Sequence, residues 1–235
     1  MSDIEYTPPP TCAKLIVSEK PYNFVVGPVG SGKTSAILFK ILYHAQRQQR
    51  SPVDGIRRTR FCVIRNTNRM LTDTTLKSWF TWFKPGVAGR WEETKRTFTF
   101  EFGDVNCEVL FRPLDRPEDV SNVLSLELTG AILDEFVEMP REVVDAVQSR
   151  CGRYPSRKDG GCSWSGMWGA SNPGNEDSWW FDWLYDVWPG DTGGSIKAGE
   201  LAYFEQPSGF SLLASAAMSC RPLCFCAAAM FMPAL

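Results

Sequence analysis

A chain of 235 residues, 43% of them hydrophobic, has enough apolar material for one sizeable core and reads as a single α/β domain. Its formal charge of −2 and pI near 5.6 argue against a global basic field that wraps nucleic acid. Eight cysteines without a CxxC pair, with one histidine at position 44, argue against a zinc site, and the opening MSDIEYTPPPT has acids and prolines where a signal peptide has its apolar stretch.

After a proline-rich lead-in over residues 1–20, YNFVV is a short apolar strand, and residues 33–48 form a predicted helix with Ile37, Ile41 and Leu42 or Ala45 on one face. RFCVIR is a second predicted strand. It leads through NTN to an amphipathic helix over about 71–83, capped by Thr72 or Asp73 and ended by Pro85. RTFTFEFGDVNCEVLFRP alternates apolar and polar residues on both sides of Gly103 and Asp104, which predicts an antiparallel hairpin ended by Pro113. LTGAILDEF is a continuous apolar run suited to a strand covered on both faces, and Pro140 starts a helix reaching about Arg150. SGMWGAS is another buried strand, followed by a helix over about 178–185. Strands alternating with helices imply a mostly parallel sheet flanked by crossover helices.

Two stretches stand apart in composition. Between residues 47 and 69 there are seven arginines against one acid, Asp54, which is either a solvated surface or a face for DNA or a partner. From Phe210 onward one charge, Arg221, accompanies three cysteines and an apolar run shorter than the roughly 18 residues of a membrane span. Residues 207–235 therefore read as an atypical apolar tail and not as a membrane anchor. Six of the nine tryptophans (164, 168, 179, 180, 183 and 188) cluster around the last predicted strand, where large aromatics belong to a core or an interface.

The chemistry begins at Gly27-Pro28-Val29-Gly30-Ser31-Gly32-Lys33-Thr34, followed by Ser35. This is the G-x-x-x-x-G-K-[ST] pattern: its glycines let backbone N–H groups curl around an anion at a helix N-terminus. Lys33 reaches the β- and γ-phosphates of a nucleotide, and the Thr34 hydroxyl ligates Mg²⁺. About a hundred residues on, AILDE ends an apolar strand with two acids. Asp134 is placed to hold Mg²⁺ and Glu135 to polarise the attacking water as general base. That pair favours hydrolysis of ATP over transfer to a substrate hydroxyl. It marks the additional-strand, catalytic-glutamate (RecA-like) P-loop NTPases. Ser171 and Asn172 in GASNP occupy the position of a γ-phosphate sensor, or form a plain Asn-Pro turn. A trans-acting arginine is worth about 10³ to 10⁵ in rate; Arg112, Arg116, Arg150 and Arg153 border the site, and each is equally suited to a surface ion pair.

Taken together, VVGPVGSGKTSAI, LTGAILDEFVEMP, QSRCGRYPS and GASNPGNEDSWW resemble the ATPase domain of tailed-phage large terminase subunits, over about residues 21–206. The resemblance implies a Walker A loop at 27–34, a Walker B pair at Asp134 and Glu135, and a coupling motif at Ser171 and Asn172. It also implies a homo-oligomeric ring that pumps double-stranded DNA through a portal protein into a procapsid. A small terminase subunit would deliver the DNA in the host cytoplasm, and no membrane is involved. The sequence departs from its relatives in lacking an arginine within the phosphate loop and a trans arginine shortly before Asp134, for which Arg116 is the nearest upstream substitute. No aspartate follows Asp191, so nuclease activity is not expected from this polypeptide. The competing readings are a helicase or recombination-type ATPase on single strands, and a nucleotide-binding module with little turnover in isolation.

Overall fold

The computed structural model describes residues 4–114, 117–175, 177–181, 200–207 and 223–225. Strand-forming residues with both faces apolar assemble into one eight-stranded sheet. Its parallel part runs β6 (Val105–Pro113), β3 (Arg57–Arg65), β7 (Gly130–Asp134), β8 (Gly166–Ser171), β2 (Tyr22–Val26) and β9 (Leu201–Glu205). The hairpin strand β5 (Thr97–Phe102) adds antiparallel to β6, and β4 (Arg90–Glu92) closes that edge. The order of the central strands is non-sequential because each parallel neighbour requires a crossover.

Buried side chains alternate between two cores along the central strands. Val25, Phe61, Val63, Ile132 and Trp168 belong to one core, while Phe24, Cys62, Ile64, Ala131, Leu133 and Met167 belong to the other. Such two-sided burial is what a parallel sheet between helical layers demands. On the first side lie α1 (Pro10–Val17), α2 (Lys33–Arg47) and α4 (Lys77–Trp82), with Trp79 fully buried among Phe83, Phe98, Phe100 and Phe111. On the other lie α5 (Pro117–Leu124) and α6 (Arg141–Gln148), whose Val143, Val144 and Val147 face the core, and Trp180 of α7 (Trp179–Phe181), packed on Phe24 and Phe136.

Several sequence expectations change in detail. The helix after β3 starts earlier than predicted, as α3 (Asn68–Met70), a π-helical turn over Leu71–Leu76, and α4. Its cap is Thr67, whose hydroxyl accepts from the Met70 amide at 3.2 Å, and not Thr72 or Asp73, which fall inside the π turn. Short strands β4 and β9 carry no alternation long enough to announce them. Two segments from the chain's extremities, β1 (Ile4–Tyr6) and β10 (Leu223–Phe225), pair antiparallel; otherwise only residue 207 of the apolar tail is described. Of the helix expected over 178–185, residues 182–185 lie outside the described residues, as do Trp183 and Trp188. Trp168 and Trp180 are core residues, and Trp164 and Trp179 are half-buried against the cores.

All seven arginines between 47 and 69 are ion-paired: with Glu19 (Arg47), Asp104 (Arg50 and Arg57), Asp54 (Arg58), Glu108 (Arg60), Glu138 (Arg65) and Asp73 (Arg69). Six acids pair with these seven arginines, Asp54 within the stretch and five from elsewhere in the chain, so much of its basic charge is locally compensated. Among the described residues no helix is long and apolar enough to cross a membrane.

Candidate active site

The register of the sheet brings the motifs together. Val26 pairs with Ser171, and Asp134 with Ala170, so β2, β8 and β7 end side by side in that order. The phosphate loop, Ser171-Asn172 and Asp134-Glu135 therefore emerge at one carboxyl edge, which is where ligands bind in open α/β sheets.

The loop leaves β2 at Gly27, whose amide bonds Ser171 O at 3.2 Å. A Cβ at Gly27 would stand 2.4 Å from Gln206 O, so only glycine admits this approach. Gly30 and Gly32 adopt left-handed φ of 75° and 86°. Gly32 caps α2 without a side chain, so the first amides of a 15-residue helix face the loop cavity. Val29 is 84% exposed at the tip, and Ser31 Oγ braces the loop on Pro28 O at 2.7 Å. Lys33, nearly buried, folds back over the loop: Nζ donates to Gly27 O and Pro28 O at 2.6 Å each, and to Ser31 Oγ and Asn172 Oδ1 at 3.4 Å each. Burial pulls its pKa below the usual lysine value, and the negative charge of Glu135 opposes that pull.

At the end of β7 a continuing strand would point Asp134 and Glu135 to opposite faces. Instead Glu135 takes a left-handed conformation (φ 57°, ψ 57°), and its amide bonds Ala170 O at 2.7 Å. A non-glycine residue in this region is costly, and such residues cluster at functional sites, although Arg96 adopts a positive φ in this chain as well. The turn lays the Glu135 side chain across the end of β8. Oε2 accepts from Ser171 Oγ at 2.8 Å and from the Asn172 amide at 3.0 Å, and Oε1 accepts from Asn172 Nδ2 at 3.4 Å. Asn172 thus touches Lys33 through its carbonyl and Glu135 through its amide group.

Asp134 is buried. Its Oδ2 accepts from Thr75 Oγ1 at 2.5 Å and its backbone O from Arg65 Nη1 at 3.0 Å. Burial raises its pKa, against the Thr75 hydrogen bond and the Arg65 charge, which favour the anion. Sequence reasoning missed Thr75 and the inward role of Arg65; a buried threonine in a predicted amphipathic helix carries no signal of its partner. Ser35, expected at the phosphates, accepts from Trp82 Nε1 at 3.0 Å. Of the arginines, Arg112 donates to Lys95 O and Phe111 O, and Arg150 and Arg153 donate to Ser149; Arg116 lies outside the described residues.

The residues present fit a magnesium nucleotide. A left-handed glycine loop at a helix N-terminus supplies inward amides for the phosphates. The Thr34 hydroxyl makes no hydrogen bond among the described residues, and Asp134 keeps Oδ1 free of one. Mg²⁺ in such sites is held by one or two protein oxygens together with phosphates and waters, so this pair suffices.

No family model matches the sequence, and no curated protein matches it either. Solved structures do match in shape. The large terminase of a thermophilic bacteriophage superposes with a TM-score of 0.63 at 14% identity, covering 85% of this chain and 46% of that one. The large terminase ATPase domain of Thermus phage P74-26 gives 0.59 at 14% identity, covering 90% of this chain and 85% of the other. The first of these terminases in complex with ATP-gamma-S gives 0.56, again at 14% identity, covering 84% of this chain and 44% of the other. The fold is that of a large terminase ATPase domain. It is a mixed eight-stranded sheet flanked by helices, and the chain spans under half the length of the first terminase it matches.

Proposed function

We propose that this chain is an ATP-hydrolysing motor domain of a viral DNA-packaging terminase, coupling hydrolysis to translocation of double-stranded DNA into a procapsid. The observation that carries the reading is the chain of contacts from Lys33 through Asn172 to Glu135, which joins the phosphate loop to the water-activating acid across β8. The likeness in fold to terminase ATPase domains supports the packaging role.

In this reading the amides of residues 27–34 and Lys33 hold the phosphates of ATP, while Thr34 and Asp134 hold Mg²⁺. When bound, the ion neutralises charge on the phosphate oxygens. Glu135 orients the attacking water and accepts its proton at Oε1, the oxygen less engaged by neighbours. Lys33 has three N–H donors for the four acceptors around it, so a phosphate displaces first the contacts at 3.4 Å, to Ser31 Oγ and Asn172 Oδ1; release of Asn172 changes what it bonds, and Asn172 passes that change to Glu135. Double-stranded DNA, a portal protein, a small terminase subunit and further copies of this chain in a ring are the partners of that work. Its place is the host cytoplasm, transiently on the procapsid.

Glu135→Gln tests the assignment. The variant should bind ATP within a few-fold of wild type while phosphate release falls by roughly 10² or more, the scale of general-base catalysis. Phosphate release at the wild-type rate would remove Glu135 from the reaction.

A further inference from the structure

One helical segment touches both halves of the nucleotide site. At its middle, Thr75 is fully buried and donates to Asp134 Oδ2. At its end, Trp82 Nε1 donates to Ser35 Oγ, one residue after Thr34. At the strand end that feeds it, Arg65 bonds Asp134 O and lies 3.7 Å from Glu138. The segment itself is firmly seated: Leu71, Thr75, Trp79 and Phe83 are all buried, at every fourth position. An α-helix turns every roughly 3.6 residues, so a spacing of four drifts around its axis. The wider i→i+5 turn over Leu71–Leu76 offsets that drift between Leu71 and Thr75, both of them on the inward side. Single π turns of this kind occur frequently at functional sites.

We propose that residues 68–82 are a positioning element for the magnesium site: Thr75 engages one Asp134 oxygen so that the other meets the cation, and Trp82 holds Ser35 and with it the start of α2. This rests on the ATPase reading above. Thr75 is a positioning residue, since it acts on the metal only through Asp134. Groups that orient a metal ligand by hydrogen bonding typically change metal affinity by about 10- to 100-fold when removed.

The test is calorimetric binding of ATP-gamma-S to the full chain, in EDTA and across a MgCl₂ series, for wild type, Thr75→Val and Thr75→Ser. Thr75→Val should keep its affinity in EDTA within about twofold, yet need roughly 10-fold more Mg²⁺ for the metal-dependent tightening. Thr75→Ser, which restores the hydroxyl, should return the Mg²⁺ midpoint to wild type. An unchanged midpoint in Thr75→Val overturns the positioning role and leaves the ATPase reading standing. If wild type binds ATP-gamma-S neither with nor without Mg²⁺, the ATPase reading fails and this inference fails with it. Should Thr75→Val lose its fold by circular dichroism, Thr75→Cys, a weak donor of similar volume, takes its place with the same two outcomes.

Discussion

Four acceptors share one ammonium at Lys33, and two of them are carbonyls of its own loop at 2.6 Å. A buried charge is stable only with such partners, and they hold the lysine at the cavity before any phosphate competes for it. Lys33→Ala removes the ion and leaves those carbonyls to water. ATP affinity should fall by roughly 10- to 100-fold, the scale of one or two charge-assisted hydrogen bonds, while the thermal midpoint changes little. Calorimetric titration decides it, and equal affinity would count against the loop as the phosphate site. Glu135 makes the complementary point on the acid side, because its left-handed backbone directs its carboxylate to Ser171 and Asn172.

At the scale of elements, α2 shows how far packing departs from pattern. Its apolar stripe predicts one buried face, yet residues 36–45 are all buried because α1 lies across the outer side. Lys40 is caught beneath it. Its Nζ caps the end of α1 by donating to Leu15 O, Ile16 O and Ser18 O. Burial pulls the Lys40 pKa down to about 7, with the negative charge of Glu19 opposing. The unfolded lysine titrates near 10.4. Between about pH 7 and 10 the unfolded chain therefore binds a proton that the folded one does not, so this group makes stability rise with pH, by about 1.4 kcal/mol per pH unit for one full proton. Below about 7 both states are protonated and its contribution is constant. Cys62 and Cys107, pushed up to about 12 by burial, act in the opposite direction above about pH 8.5. Denaturant unfolding across this range should show the slope of wild type minus Lys40→Met as positive between pH 7 and 10; parallel curves would show that Lys40 does not couple folding to pH.

For the whole molecule, the order β7-β8-β2 is what turns separate motifs into one site, since the strand between the phosphate loop and the acids carries Ser171 and leads directly into Asn172. No arginine among the described residues hydrogen-bonds Glu135 or Asn172, and Arg112, Arg150 and Arg153 are engaged by their own neighbourhoods. A motor that takes its arginine from the next copy should turn over faster as copies meet. ATPase rate per chain should therefore rise with protein concentration, several-fold or more, and track the appearance of oligomers in sedimentation. A flat rate across assembly would favour a nucleotide-binding module.

The sequence by itself determined the local elements whose physics is local: the strand, glycine loop and helix at residues 22–47, the hairpin around Gly103 and Asp104, and the two acids ending an apolar strand. Each rests on neighbours in the chain, through periodicity, turn chemistry or a required left-handed glycine. Tertiary structure decided what depends on residues far apart: Thr75 on Asp134 across 59 positions, Asn172 between Lys33 and Glu135, and Lys40 sealed under α1. Those partners are chosen by strand order and by the packing of helices on the sheet, and neither leaves a periodic trace along the chain.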